Sequence, residues 1–365
     1  MRHKGEHKTT YEKQPKLNPK FSGQTLHELL LQTSHPLFKG YDLWYTFDGD
    51  TIEFMTQTFY KANVKEVIKE LLHYKQVFLD SVQSIFQAHT MHHEKGRVVF
   101  PPKNPGFVVH LTNPSNVCVF NNGTYHINLT LPSWLNAKGE LLYPELFREQ
   151  HRALARFLQW MEPLLLLEYG TSDPLAVTSK RFSALSQRAA MSRYIGIATF
   201  DTVAMPEGKR NTIPIEELVC AKEESWWYSS YHATSGYTVL KEVGLDINYK
   251  KHHNHGLELR CLDWFPEENL QSCIRKILLL AQASLQLPLA PVCTAMESWN
   301  TCVIGLHEEG RDYCPSRKTL AAYEKVLHIP LLEQTGQPMK RICTEIWNSL
   351  ERLYGKGSLI KLFGG

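Results

Sequence analysis

Apolar residues recur at helical spacing from Asn63 to about Phe86, at Val64, Val67, Ile68, Leu71, Leu72, Phe78, Val82 and Ile85. That rhythm predicts an amphipathic helix with one face turned to a core. A second long helix is predicted from Pro144, where proline suits a first turn and Glu145 complements the helix N-terminus. It runs through Phe147, Leu154, Phe157, Leu158 and Met161. Pro163 is expected to kink or end it, with a short further segment finishing at Gly170. Pro266-Glu-Glu opens a third helix that reaches Leu285. Helices at about 293–307, 317–327 and 338–353 are expected to close the chain, and Leu26–Leu31 reads as a short one.

Between the helices the pattern changes to alternation. Residues 43–59 predict a strand pair or one long strand, with Gly49 as a turn or bulge. Phe107–Leu111, Cys118–Phe120 and Tyr125–Leu131 are predicted strands separated by Asn-Pro and Asn-Asn-Gly turns, and Pro132 ends the last. Residues 171–256 look mixed and rich in loops, with a strand at Tyr237–Leu240, before the strand Leu257–Asp263. Strands come in clusters rather than in strict βαβ alternation, and no internal repeat is visible. The pattern predicts an α+β fold rather than a doubly wound sheet.

Composition narrows the class. The chain has 365 residues, 43% hydrophobic and 21% charged, as expected of a soluble protein with a real core. A net charge of +3 lacks the basic footprint of a nucleic-acid binder, so no nucleic-acid partner is expected. The eight cysteines show no CxxC pair and no zinc-ribbon spacing, and several lie in apolar runs, which points to buried thiols in a reducing compartment. The first residues are polar, without the apolar core of a signal peptide, and apolar runs such as Leu164–Leu167 are too short to cross a bilayer. A cytoplasmic protein without a membrane partner is the expectation. There is no Walker A loop and no Gly-x-Gly-x-x-Gly before a helix; Gly-x-Ser-x-Gly and His-Glu-x-x-His are missing too.

The chemistry-bearing residues lie on the predicted strands. On Tyr125–Leu131, His126, Asn128 and Thr130 share one face; on Leu257–Asp263, Glu258 and Arg260 share a face. Glu53 and Glu258 are acids set singly among apolar strand residues. A carboxylate there is costly unless a cation stands nearby, so each is a candidate metal ligand. Each could equally be an edge-strand acid facing water or half of an ion pair, and Arg260 could pair with Glu258 at i and i+2 along one strand face. The tracts His92-His93 and His252-His253-Asn254-His255 sit among charged residues and read as solvated turns.

In chain order, five segments resemble the glutamate–cysteine ligase branch of the glutamine-synthetase-like carboxylate–amine ligases. Thr51-Ile-Glu-Phe-Met-Thr is similar to that family's Leu-Leu-Glu-Phe-Ile-Thr strand, and Tyr125-His-Ile-Asn-Leu-Thr-Leu-Pro to its His-Tyr-Asn-Phe-Ser-Leu-Pro. Leu166-Leu-Glu-Tyr-Gly-Thr-Ser-Asp-Pro resembles a helix end reading Leu-Phe-Gly-Ala-Ser-Pro. Ala190-Met-Ser-Arg-Tyr-Ile-Gly resembles the loop Ser-Leu-Arg-Met-Ser-Asp-Leu-Gly, and Leu257-Glu-Leu-Arg-Cys-Leu-Asp resembles Glu-Val-Arg-Ser-Leu-Asp. The family opens on Gly-x-Glu-x-Glu; here Lys4-Gly5-Glu6-His7-Lys8 stands near the start, and either Glu6 is the surviving acid or the first strand lies elsewhere.

The resemblance implies a curved antiparallel sheet, saddle-shaped and backed by helices. It implies a ligase domain over residues 1–288 and a helical C-terminal extension, residues 289–365, packed on it. Glu53, Glu258, His126 and Glu6 fall where the family holds metal; His126, Asn128 and Arg260 fall near ATP or substrate; Arg260 with Arg188 or Arg193 falls where transferring phosphate is neutralised. The implied function is ATP- and Mg²⁺-dependent joining of a carboxylate to an amine through an acyl phosphate. Glutamate is the first choice of acyl donor, and the substrates are small molecules or peptides. Phosphoryl transfer on the same scaffold and a degenerate, non-catalytic scaffold are the alternatives.

Overall fold

The computed structural model describes residues 26–39, 44–48, 51–57, 63–89, 96–103, 123–172, 185–186, 247–251, 256–293 and 296–363. The chain divides into two compact units, residues 1–101 with residue 365, and residues 102–364.

In the first unit, helix α1 (Leu26–Gln32) and a 3₁₀ turn at Pro36–Phe38 precede an antiparallel hairpin, β1 (Tyr45–Asp48) and β2 (Thr51–Phe54), registered Tyr45↔Phe54 and Thr46↔Glu53. Helix α2 (Val64–Ala88) follows, its first turn capped by the Asn63 side chain, which accepts from the Lys65 N–H at 2.9 Å. Leu30, Phe38, Trp44, Tyr45, Phe78 and Val82 make the core, with Ile52 and Phe54 packed against it. The period of two on β2 therefore turns Glu53 to the other face, where it is exposed. Lys75 lies on the apolar face of α2, buried, with its ammonium 5.4 Å from the centroid of Phe100; burial pulls its pKa down to about 8.

The second unit is built on a three-stranded antiparallel sheet ordered β3 (Thr124–Leu129), β5 (Gly256–Asp263), β4 (Ile247–Lys251). Helix α3 (Pro144–Tyr169) packs on β5 and on helix α4 (Leu270–Ser284). Helices α5 (Glu297–Glu309), α6 (Arg317–Leu327), α7 (Met339–Tyr354) and α8 (Ser358–Phe363) complete it. α5 and α7 lie against α3, and α7 and α8 against α4. Where these helices meet, Tyr323 donates to the Trp160 carbonyl at 3.1 Å and the Trp160 indole to the Pro291 carbonyl at 2.9 Å. Lys276 ion-pairs with Glu168 and lies over the rings of Tyr169 and Trp347, joining α3, α4 and α7.

The α+β class is as predicted, and the predicted helices and the strands around residues 45–56, 124–129 and 256–263 are present. Two expectations are corrected. Of the two outcomes expected at Pro163, a kink or an end, helix α3 does not end there: it continues to Tyr169, and its finish at Gly170 is as expected, the Gly170 N–H closing on the Leu166 carbonyl at 2.7 Å. An internal proline costs about 3 kcal/mol. Trp160, Met161 and Leu164–Leu166 flank it, each at most 1% exposed, and each fully buried side chain of that size contributes about 1.5–3 kcal/mol. Packing outweighs the broken bond. The other is β4, a strand not singled out in the stretch 171–256, which reads as mixed and rich in loops with a strand at Tyr237–Leu240. That predicted strand, with those at 107–111 and 118–120, falls outside the described residues.

Helix α6 ends on His328 at φ 54° and ψ 37°, its N–H bonded to the Glu324 carbonyl. A side chain in the left-handed region is strained where glycine is not. His328→Gly is expected to stabilise the protein by about 0.5–1 kcal/mol, read as a higher midpoint in urea unfolding.

Candidate active site

Strand β5 is the middle strand, and its residues are buried on both faces, apart from the half-buried Gly256 and Arg260. A charged side chain on such a strand requires a partner. Glu258 has one: Arg260, two residues on, donates from Nη1 to Glu258 Oε2 at 2.9 Å. The other carboxylate oxygen, Oε1, stands 3.6 Å from His126 Nδ1 on β3. The Glu258 side chain is 2% exposed, that of Arg260 18% and that of His126 24%. The carboxylate is the buried hub, and the two cationic or neutral partners reach outward from it. His126 Nε2 is 3.2 Å from Thr124 Oγ1.

The register explains how these residues share a face. Asn128 on β3 and Asn248 on β4 are both paired with Glu258, so the three positions form a row across the sheet. Between Tyr125↔Leu262 and Ile127↔Leu259, two steps on β3 face three on β5. This is a β-bulge at Arg260–Cys261, opposite His126, and such an irregularity re-aims side chains. Past the bulge, Thr124 pairs with Asp263. Directly paired residues point to the same side of a sheet. Asp263 therefore joins the face of Asn128 and Glu258, although strict alternation from Glu258 assigns it to the opposite one.

Asp263 is fully buried and accepts from the Thr171 N–H at 3.0 Å, while the Thr171 hydroxyl donates to the Trp264 carbonyl at 3.1 Å. The end of α3 is thereby fastened to the end of β5. Gly170 sits where a Cβ would meet the Leu185 carbonyl oxygen at 2.3 Å, so only glycine lets the two backbones approach so closely.

Of the predicted site residues, the structure brings His126, Glu258 and Arg260 together and sets Asn128, exposed, beside Glu258 in the register. Glu53 stands on β2 of the first unit, exposed. Glu6, Arg188 and Arg193 lie outside the described residues. Sequence inspection missed Asp263, because the bulge that re-aims it shows only in the register with β3, and His151, a lone histidine on a helix. His151 is buried, its Nε2 accepting the Leu131 N–H at 3.0 Å and its Nδ1–H donating to the Phe147 carbonyl at 2.8 Å. Burial depresses its pKa to about 4, against the opposing pull of the Phe147 carbonyl.

The donor set can be tested against Mg²⁺, which takes oxygen ligands and leaves several places to water and phosphate. Among the described residues no three His, Cys, Asp or Glu side chains converge to hold an ion. Glu258 is the carboxylate this face could lend such an ion, and both its oxygens already face partners, Arg260 at 2.9 Å and His126 at 3.6 Å. His126 offers nitrogen, the poorer match for this ion.

No family model matches the chain. It is 34% identical over 351 residues to a protein of Acanthamoeba polyphaga mimivirus described as uncharacterized; the match takes in 96% of this chain and 61% of that protein, so the chain spans less than two thirds of that relative's length. Among solved structures, the Pup ligase PafA of the prokaryotic ubiquitin-like modification pathway, in complex with ADP, is similar with a TM-score of 0.40 and 12% identity, over 93% of this chain and 67% of that one. No helix among the described residues is long and apolar enough to cross a membrane.

Proposed function

We propose that the chain is an ATP- and Mg²⁺-dependent carboxylate–amine ligase. The observation that carries this reading is the buried Glu258, shared between Arg260 and His126 on the middle strand of an antiparallel sheet. These residues fall on two of the segments that resemble the ligase family. In the reaction, a substrate carboxylate oxygen bonds to the γ-phosphorus of ATP as the bond to ADP breaks. The amine nitrogen then bonds to the acyl carbon, phosphate leaves, and the nitrogen loses a proton. Bound Mg²⁺ would offset the charge of the phosphate oxygens, with Glu258 among its ligands.

The chain's own residues have separable tasks. Arg260 donates one N–H to Glu258, and the planar, permanently charged fork of a guanidinium matches the oxygens of a phosphoryl group. Glu258 fixes the guanidinium in place, so no rotamer search accompanies the transfer. His126 and Asn128 border the same face and would orient the substrate. Glu53, Glu6 and either Arg188 or Arg193 are proposed as further members of the site on the sequence resemblance. Glutamate as acyl donor, and a small-molecule or peptide amine as acceptor, belong to the same proposal.

ADP and phosphate release from MgATP, measured with a panel of amino acids and amines, tests it. Turnover is expected only when an acid and an amine are both present, with one amide formed per ADP. A phosphorylated acceptor accumulating without amide would replace the ligase by a phosphotransferase. No nucleotide-dependent thermal shift and no turnover would leave a non-catalytic scaffold.

A further inference from the structure

Strand β3 bears His126 and Asn128 and ends at Leu129, and the chain then makes an excursion over Thr130–Leu146 before α3 is fully formed. The excursion folds on itself through the bridge Leu135↔Leu141 and the Leu142 N–H to Trp134 carbonyl bond at 2.9 Å. It turns Trp134, Leu142 and Tyr143 outward. Among the bonds that hold its ends, one side chain reaches both. His151 takes the N–H of Leu131 at the entry and gives its own Nδ1–H to the carbonyl of Phe147 at the exit. Its ring lies 3.8 Å from that of Phe147, centroid to centroid. Leu131 is 2% exposed and His151 1%, so water cannot substitute for either bond, and an orphaned N–H there would carry its full desolvation cost.

We propose that His151 is a positioning residue of the site: it pins the C-terminal end of β3 to α3 and so holds His126 and Asn128 in register against Glu258 and Arg260. The pin acts on backbone, two residues from the end of the strand. Its loss would loosen β3 against β5 without removing any group that touches substrate. The geometry does not depend on which reaction the site performs, but the consequence for nucleotide rests on the ligase reading.

Hydrogen exchange on the full chain separates the two. In His151→Ala, the amides of Leu131 and of β3 are expected to exchange at least tenfold faster, while those of Ile346 and Leu350 in α7 keep their rates. His151→Gln, which offers an acceptor oxygen near the Nε2 position, is expected to restore β3. Acceleration that is equal in β3 and α7 would mean a loss of global stability and overturn the pin, as would unchanged exchange in β3. MgATP titrated into the same proteins is expected to bind at least tenfold more weakly to His151→Ala than to wild type, with rescue in His151→Gln. If the wild type itself binds no nucleotide, the ligase reading fails and the exchange rates still decide on the pin.

Discussion

Glu258→Ala is expected to lower acid- and amine-dependent ADP release at least a hundredfold and to destabilise the second unit by about 3 kcal/mol. The stability loss follows from burial. Removing one partner of a buried ion pair costs about 3–5 kcal/mol because the other charge is stranded; Arg260, with its side chain 18% exposed, can recover part of that by reaching water, which places the effect near the lower end. The activity loss has a separate origin. A guanidinium that must be placed before the phosphoryl group moves contributes about 3 kcal/mol of transition-state stabilisation, a hundredfold or more in rate. Without Glu258, Arg260 loses the bond that aims its guanidinium, and a carboxylate oxygen offered to Mg²⁺ would be gone. Glu258→Gln separates these effects: the amide oxygen still accepts from Arg260, so urea unfolding is expected to move less than in the alanine variant while turnover remains low. Turnover that stays at the wild-type level in either variant, whatever happens to stability, would reduce the pair to a structural bridge.

How far the sequence alone discloses this site depends on the element. α2 and α7 have apolar residues at regular helical spacing, and their bounds were legible to within a few residues. The Glu258–Arg260 contact was legible too, because i and i+2 on a strand must share a face whatever else the sheet does. Strand β5 was harder. Buried on both sides, it carries leucines at 257, 259 and 262, and the switch from odd to even positions is the imprint of the bulge. It takes the register with β3 to see that this brings Asp263 round to the face of Glu258. Pro163 misled because a local rule lost to the burial of a whole helix. His151 had no motif to announce it: its importance lies in two backbone groups, Leu131 N–H and Phe147 C=O, which have no identity in a sequence. Glu6, Arg188 and Arg193 fall outside the described residues, so their place rests on the resemblance.

That same histidine makes the protein sensitive to acid, and the sign can be worked out. In the folded chain His151 titrates at about 4, and in the unfolded chain at the ordinary 6.5. Between those values the unfolded state binds a proton that the folded state does not, so stability rises with pH across the window. The contribution of the neutral imidazole is complete above about pH 6.5 and is lost as pH falls toward 4. The gap corresponds to about 3 kcal/mol, a large share of what holds an ordinary domain folded. The cause is structural as well as dielectric: Nε2 faces the Leu131 N–H, and a protonated ring would set donor against donor. Urea unfolding of wild type and His151→Gln at pH 7, 6, 5 and 4 isolates this group, since every other titrating residue is common to both. The variant is expected to lie close to wild type at pH 7 and to lose about 3 kcal/mol less on the way to pH 4, so that the two curves part as pH falls. Curves that run parallel over the whole range would mean that His151 takes up its proton without disturbing the fold. The Leu131 bond could then not be what holds the end of β3.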